Sequence, residues 1–159
     1  MPVHEPLVLM RRAYSGLSHA LIEAFARSLR RRVAGGRAFQ CLITSDAELQ
    51  RLNREFRRKD YPTDVLSFPA EPNVCRKARV EALGAVSMGD IAISVDQARA
   101  QAREFGHTLD DEICILMLHG VLHLIGMDHE RDDGDMLRAE TAWRLKLRLP
   151  SALIERVST

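Results

Sequence analysis

The segment HGVLHLIGMDH, residues 119–129, holds three histidines, two glycines and an aspartate in an otherwise apolar stretch. His119 and His123 are four residues apart. On a helix that spacing turns the chain by about 400° and advances it about 6 Å, so both rings leave one face a turn apart. Two imidazoles so placed can share one metal ion. Gly126 follows where the helix must end and the chain must turn, through a left-handed conformation. The turn can bring His129 back as a third ligand. Three histidines with a fourth position left open describe catalytic rather than structural zinc. A lone histidine here would read as a core residue with a satisfied hydrogen bond. Three neutral imidazoles beside a dry core are costly unless something satisfies them, and a metal does.

The spacing is that of the metzincin protease signature HExxHxxGxxH with one change. Gly120 stands where the protease has the glutamate that serves as general base. A metal site is therefore expected without the protease's proton acceptor. Asp128 and Glu130 lie on the wrong side of the turn to replace it simply. Asp128 has two roles open to it: orienting a ligand histidine by hydrogen bond, or capping the turn after His129.

A second group of residues, LNREFRRKDYPTDVLSF at 52–68, places Arg54, Arg57, Arg58 and Lys59 just before a turn and a strand. A charge run of this kind ordinarily marks a solvated helix face. Arginine is also the side chain best suited to fork onto phosphate oxygens. If the strand from Val65 runs beside the metal, one of these arginines can reach a phosphodiester held there. Arg30 to Arg32, Arg37, Arg76, Lys77 and Arg79 are candidates to extend a basic track along a nucleic-acid backbone.

Several elements must position these groups. Ile113 to Ile125 is apolar nearly all round, which predicts a central buried helix from about Asp111, capped by Thr108 or Asp110. Leu21, Ile22, Phe25, Ala26 and Leu29 give one buried face to a helix over 18–33, closed by Arg30 to Arg32 and stopped by Gly35 and Gly36. Ser45 and Glu48 resemble a capping box opening a helix through Leu49, Leu52 and Phe56. Tyr61-Pro62-Thr63 breaks it. Strands are expected around Leu7 to Leu9, over 39–44, at Val65 to Phe68 before Pro69, and over 88–94. A helix over 95–105 ends at Gly106, and a last one spans about 133–149 before Pro150. Residues 70–84 carry no clean period and read as a loop. Helices and strands interleave, with some connections short enough for hairpins. The expected class is α+β: one mixed sheet of about four strands packed with about five helices, the metal site at the end of the central helix.

The chain of 159 residues fits a single domain, 1–159, with enough surface to bury one core. Aromatic residues are 5% of the chain, too few for base-stacking platforms of the RRM kind. The net charge of +1 says little about partners. Cys41, Cys75 and Cys114 are odd in number and widely spaced, which predicts reduced thiols rather than a disulfide framework. The apolar run before Arg11 is too short for a signal peptide, and no stretch approaches a membrane span. Both absences lead to the expectation of a cytoplasmic protein.

These residues carry a resemblance. HGVLHLIGMDH matches the HGxLHLxGxDH signature of the YbeY endoribonucleases, the bacterial rRNA maturation factors, at each defined position. LNREFRRKDYPTDVLSF resembles that family's LNxxYRxxDxPTDVLSF block, with Phe56 for the tyrosine, and MGDIAIS is similar to its third block. Together they cover about residues 45 to 130. The resemblance implies one zinc ion on His119, His123 and His129, and places the family's essential arginine on Arg57. It implies single-strand-specific endoribonuclease activity in late small-subunit assembly, rRNA 3′-end maturation and ribosome quality control. Small-subunit ribosomal RNA, a small-subunit ribosomal protein and an assembly GTPase are the partners it implies. In that mechanism His119 and Arg57 are catalytic, while Arg54, Arg58 and Lys59 are candidate RNA contacts. Zinc would bring the pKa of its water toward about 7. Hydroxide or an RNA 2′-hydroxyl would attack, and Arg57 would steady the developing charge. No general base is evident in the sequence, so both attackers stay open. Two other readings remain: a zinc-stabilised assembly factor without catalysis, and a metal-dependent hydrolase of another substrate.

Overall fold

The computed structural model of the chain describes residues 5–70, 87–127 and 133–150. The predicted loop over 70–84 lies almost wholly outside them, as do Cys75, Arg76, Lys77, Arg79, Asp128 and His129.

The central helix, here α4, runs Leu109–Leu124. Thr108 caps it by accepting from the Asp111 amide, and Asp110, Asp111 and Glu112 stand at its positive end. Its apolar residues do not form one stripe: Ile113, Cys114, Ile115, Leu116, Met117 and Leu118 are all buried. A helix buried on every side needs neighbours on every side. It has them in the sheet, in α1 (His19–Arg32), in α3 (Val95–Phe105) and in α5 (Asp135–Lys146). Burial of each large apolar side chain contributes about 1.5–3 kcal/mol, so this one helix carries much of the core.

The sheet has four strands: β1 (Val8–Met10), β2 (Ala38–Thr44), β3 (Val65–Pro69) and β4 (Ser87–Ser94), in the order β1-β2-β4-β3. β2 lies parallel to both β1 and β4, and β3 pairs antiparallel with β4. The mixed sheet and its helices form the expected α+β arrangement. Among the described residues only β3 with β4 pairs antiparallel; α1 carries the chain from β1 across to β2 as a parallel crossover. The register sets Val8, Cys41, Ile91 and Ser67 in one row across the sheet, facing α4. The opposite face packs Leu66 and Ala92 against Leu49 of α2 (Asp46–Arg57). Beside α2 that face keeps a groove of about 390 Å³, lined by Leu9, Leu42, Phe56 and Phe68 with Gln40 and Asp90.

Ser45 caps α2 as predicted, accepting from the Glu48 amide at 3.2 Å. The reciprocal half of the capping box gives way. Glu48 turns its carboxylate to the Thr44 hydroxyl at 2.6 Å and to Arg11 at 2.8 Å, tying α2 to the end of β1. The hydrogen bond from Arg11, with that from Thr44, holds the Glu48 carboxyl below the ordinary glutamate range. A depressed carboxylate contributes stability above its unfolded pKa of about 4.3 and loses it as pH falls through the folded value. Glu48→Gln is therefore expected to unfold at lower denaturant than wild type at pH 7. The two midpoints should converge as the pH drops below about 4.

Cys41 and Cys114 are both buried, and burial pushes both thiols well above the ordinary cysteine range. They are inert packing groups, as their spacing led one to expect. No helix of the described residues is long and apolar enough to cross a membrane.

Candidate metal and phosphodiester site

His119 and His123 leave the last two turns of α4 together. Their Nε2 atoms are 3.0 Å apart and their ring centroids 4.7 Å, with the planes inclined at 67°. Two imidazole nitrogens this close share a hydrogen bond in the metal-free protein and are near enough to hold one ion between them. A tetrahedral zinc bound at about 2.0–2.1 Å holds its nitrogens roughly 3.4 Å apart, so the pair needs only a slight opening to fit. Directly beyond, the helix ends as the spacing required. Gly126 takes φ +101, its amide donates to His123 O, and the Met127 amide donates to Leu122 O. This is a Schellman closure, and it turns the chain toward His129. His129 and Asp128 lie outside the described residues, so the third ligand and the two roles open to Asp128 rest on the sequence alone. Among the described residues no group of three His, Cys, Asp or Glu side chains converges to hold a metal.

Gly120 has a reason of its own. A Cβ there would lie 2.9 Å from Cγ2 of Ile91 and 3.0 Å from its Cδ1. Ile91 is buried on β4 and packs straight onto the helix backbone. The position that carries the base in the protease signature is thus filled by the sheet.

The second constellation is brought to the same helix. Arg57 is the last residue of α2, and Arg58 closes that helix in the left-handed conformation, φ 58. Buried Asn53 fastens the turn: its carbonyl accepts from the Lys59 amide at 3.2 Å, and its side-chain amide donates to Tyr61 O at 3.0 Å. Asp64 pins the next stretch, accepting from the Ser94 amide at 2.9 Å. So folded, Arg57 reaches back over the edge strand and donates to Ser67 O, its guanidinium carbon 5.8 Å from the Phe68 ring centroid. The buried Ser67 hydroxyl donates in turn to Gly120 O at 3.1 Å. Arg57 is thereby linked through a single β3 residue to the backbone of α4 at Gly120, next in sequence to His119.

The remaining basic residues divide. Arg54, Arg58 and Lys59 are exposed around the end of α2, Arg54 paired with Asp60 at 3.6 Å. Arg30 and Arg37 donate to Gly36 O and Ala34 O within the α1–β2 connection. Those two brace a turn rather than extend a track. Arg58→Gly is expected to raise stability by about 0.5–1 kcal/mol in denaturant unfolding, since glycine adopts positive φ without a Cβ penalty. The same substitution should weaken RNA binding if Arg58 contacts the backbone of a bound strand.

One residue at this site escaped the reading of the sequence. Glu140 of α5, 1% exposed, meets Nδ1 of His119 through its Oε1. Arg144, one turn along and 2% exposed, is buried beside it. Burial pushes the Arg144 guanidinium's pKa down, and the charge of Glu140 opposes that. The signal was available: Met136, Glu140, Trp143, Arg144 and Leu147 share one helical stripe, which sets an acid and a base four residues apart inside an apolar face.

Residues 9–145 match the family described as Endoribonuclease YbeY. The chain belongs to this family. A protein named Endoribonuclease YbeY from Solibacter usitatus (strain Ellin6076) is 57% identical over 152 residues, covering 96% of this chain and 95% of that protein. Another of the same name, from Koribacter versatilis (strain Ellin345), is 45% identical over 152 residues, covering 96% and 92%. Among solved structures, the solution structure of TM1509 from Thermotoga maritima is similar with a TM-score of 0.55 and 26% identity, covering 95% of this chain and 92% of that one. The family match takes in β1 from Leu9 as well as α5 through Leu145, so it extends beyond the three sequence blocks.

Proposed function

We propose that this YbeY-family chain is a single-strand-specific, zinc-dependent endoribonuclease. Its substrate is small-subunit ribosomal RNA late in assembly, with 3′-end maturation and ribosome quality control as its roles in the cytoplasm. A small-subunit ribosomal protein and an assembly GTPase are its expected partners. One observation carries the proposal: the paired Nε2 atoms of His119 and His123 stand on the same helix that Ser67 ties to Arg57. A metal-binding pair and an anion-binding guanidinium so linked suit a phosphodiester better than a peptide bond.

His119 and His123, with His129, would hold the ion. Bound zinc supplies Lewis acidity and lowers the pKa of water to about 7. Arg57 binds the phosphoryl oxygens and stabilises the charge that develops on them. The Ser67 carbonyl holds its guanidinium at the edge strand. Ile91, filling the space beside Gly120, denies the site a carboxylate base at that position, which sets it apart from the proteases. Arg54, Arg58 and Lys59, exposed around the end of α2, would meet the backbone of a strand leading to Arg57.

The test is cleavage of a single-stranded rRNA 3′-end fragment by zinc-loaded protein beside Arg57→Ala and His119→Ala, all folded and identically purified. Cleavage by wild type that both variants lose supports the proposal. Equal cleavage by all three would expose a contaminating ribonuclease. A folded, zinc-loaded wild type that binds ribosomes and cuts nothing would favour an assembly factor without catalysis.

A further inference from the structure

We infer that Glu140 is a positioning residue for His119, holding its ring and taking the hydrogen of Nδ1 so that Nε2 is left bare and aimed at His123. The inference rests on the zinc reading above and extends it to a helix outside the histidine motif.

A neutral imidazole carries one hydrogen on two nitrogens, and only the bare nitrogen binds a metal. Which nitrogen is bare is set by the hydrogen bond that the other one makes. Nδ1 of His119 faces a carboxylate oxygen, and a carboxylate only accepts. The hydrogen therefore belongs on Nδ1. In the metal-free protein the hydrogen shared at 3.0 Å between the two Nε2 atoms then belongs to His123. The contact also helps to fix the plane of the His119 ring, together with the edge-on His123 ring.

A carboxylate at 1% exposure, as in Glu140, is expensive to bury, and an apolar residue in the Met136–Leu147 stripe would pack at no such cost. Arg144, buried beside it, sets a guanidinium near the carboxyl and offsets part of that expense. The contact of Glu140 with Nδ1, away from the metal-facing nitrogen, means that it would act through His119.

The experiment uses the full-length chain as wild type, Glu140→Gln and Glu140→Ala. Zinc affinity is read by competition with a chromophoric chelator, and ring tautomers by nitrogen-15 NMR of the metal-free proteins. Wild type is expected to show the His119 hydrogen on Nδ1. Glu140→Ala should lose zinc affinity about 10- to 100-fold. Glu140→Gln, which keeps an accepting oxygen, should recover part of that loss and retain the tautomer. A role confined to fixing α5 would lower thermal stability in both variants without moving the tautomer. Should Glu140→Ala fail to fold, the wild-type spectrum and the glutamine variant still decide. A hydrogen on Nε2 of His119 in wild type, or unchanged zinc affinity in a folded Glu140→Ala, overturns the inference. A wild type that takes up no zinc while showing Nδ1–H sinks the zinc reading, and the positioning role for a metal goes with it. The hold on the ring would stand as a separate fact.

Discussion

Gly120→Glu, which would write the complete protease signature into the chain, is expected to give a protein that does not fold rather than a peptidase. The added Cβ would sit 2.9 Å from Ile91, a side chain 1% exposed in the middle of β4. Overpacking of this kind costs about 1–3 kcal/mol before the rest of the side chain is placed. A carboxylate driven into the helix–sheet interface without a partner adds several kcal/mol more. The sum, above about 4–5 kcal/mol, is comparable with the whole stability of a small domain. Circular dichroism and solubility after expression would check it. Gly120→Ala is the milder probe: about 1 kcal/mol gained in helix propensity offsets part of the clash. Combining it with Ile91→Ala removes all three crowding atoms, so the double variant should be more stable than the two single losses predict. Additive losses would mean that the helix and β4 simply move apart at this point.

Arg57→Ala is expected to lower RNA cleavage by about 10²- to 10³-fold, the scale of losing one charged group that stabilises a transition state. The loss should fall on kcat more than on KM, because Arg54, Arg58 and Lys59 remain to bind the strand. Thermal stability should barely change, since Arg57 is exposed and its one described hydrogen bond goes to an edge strand. Arg57→Lys should rescue little. An ammonium on a flexible stem cannot hold the Ser67 carbonyl and fork onto two phosphoryl oxygens together. If lysine restored full activity, the guanidinium geometry would have no part in the chemistry.

The central helix was legible because its signals agree: an apolar run too long for a strand, Thr108 before it and Gly126 after it. The same holds for Val95–Phe105 with Gly106. The His119–His123 pairing follows from helical geometry alone. Other features were hidden for definite reasons. Strand neighbours are not encoded in local pattern, so the parallel β2–β4 pairing and the edge position of β3 could not be read from alternation. Glu48 matched a local capping motif, but Arg11, 37 residues away in sequence, won its carboxylate. Phe56 fell on the apolar period of α2, yet it is 66% exposed and meets Phe68 edge-on at the end of the sheet. The helical stripe marks Glu140 as facing the core, but not what it meets there, because its partner lies 21 positions back on another element.

Those separations also bear on the order of events. Ser67 and Gly120 are 53 residues apart, and His119 and Glu140 are 21 apart. Loop closure alone would favour the shorter His119–Glu140 contact, but the chain is made from its N-terminus. During synthesis the N-terminal elements emerge first, and α5 is the last helix among those described. A growing chain can thus assemble the sheet and lay α4 on it while the His119 ring still lacks its carboxylate. In this chain, maturation of the site trails maturation of the core, and an ion that binds only the finished arrangement would draw the chain toward it by mass action.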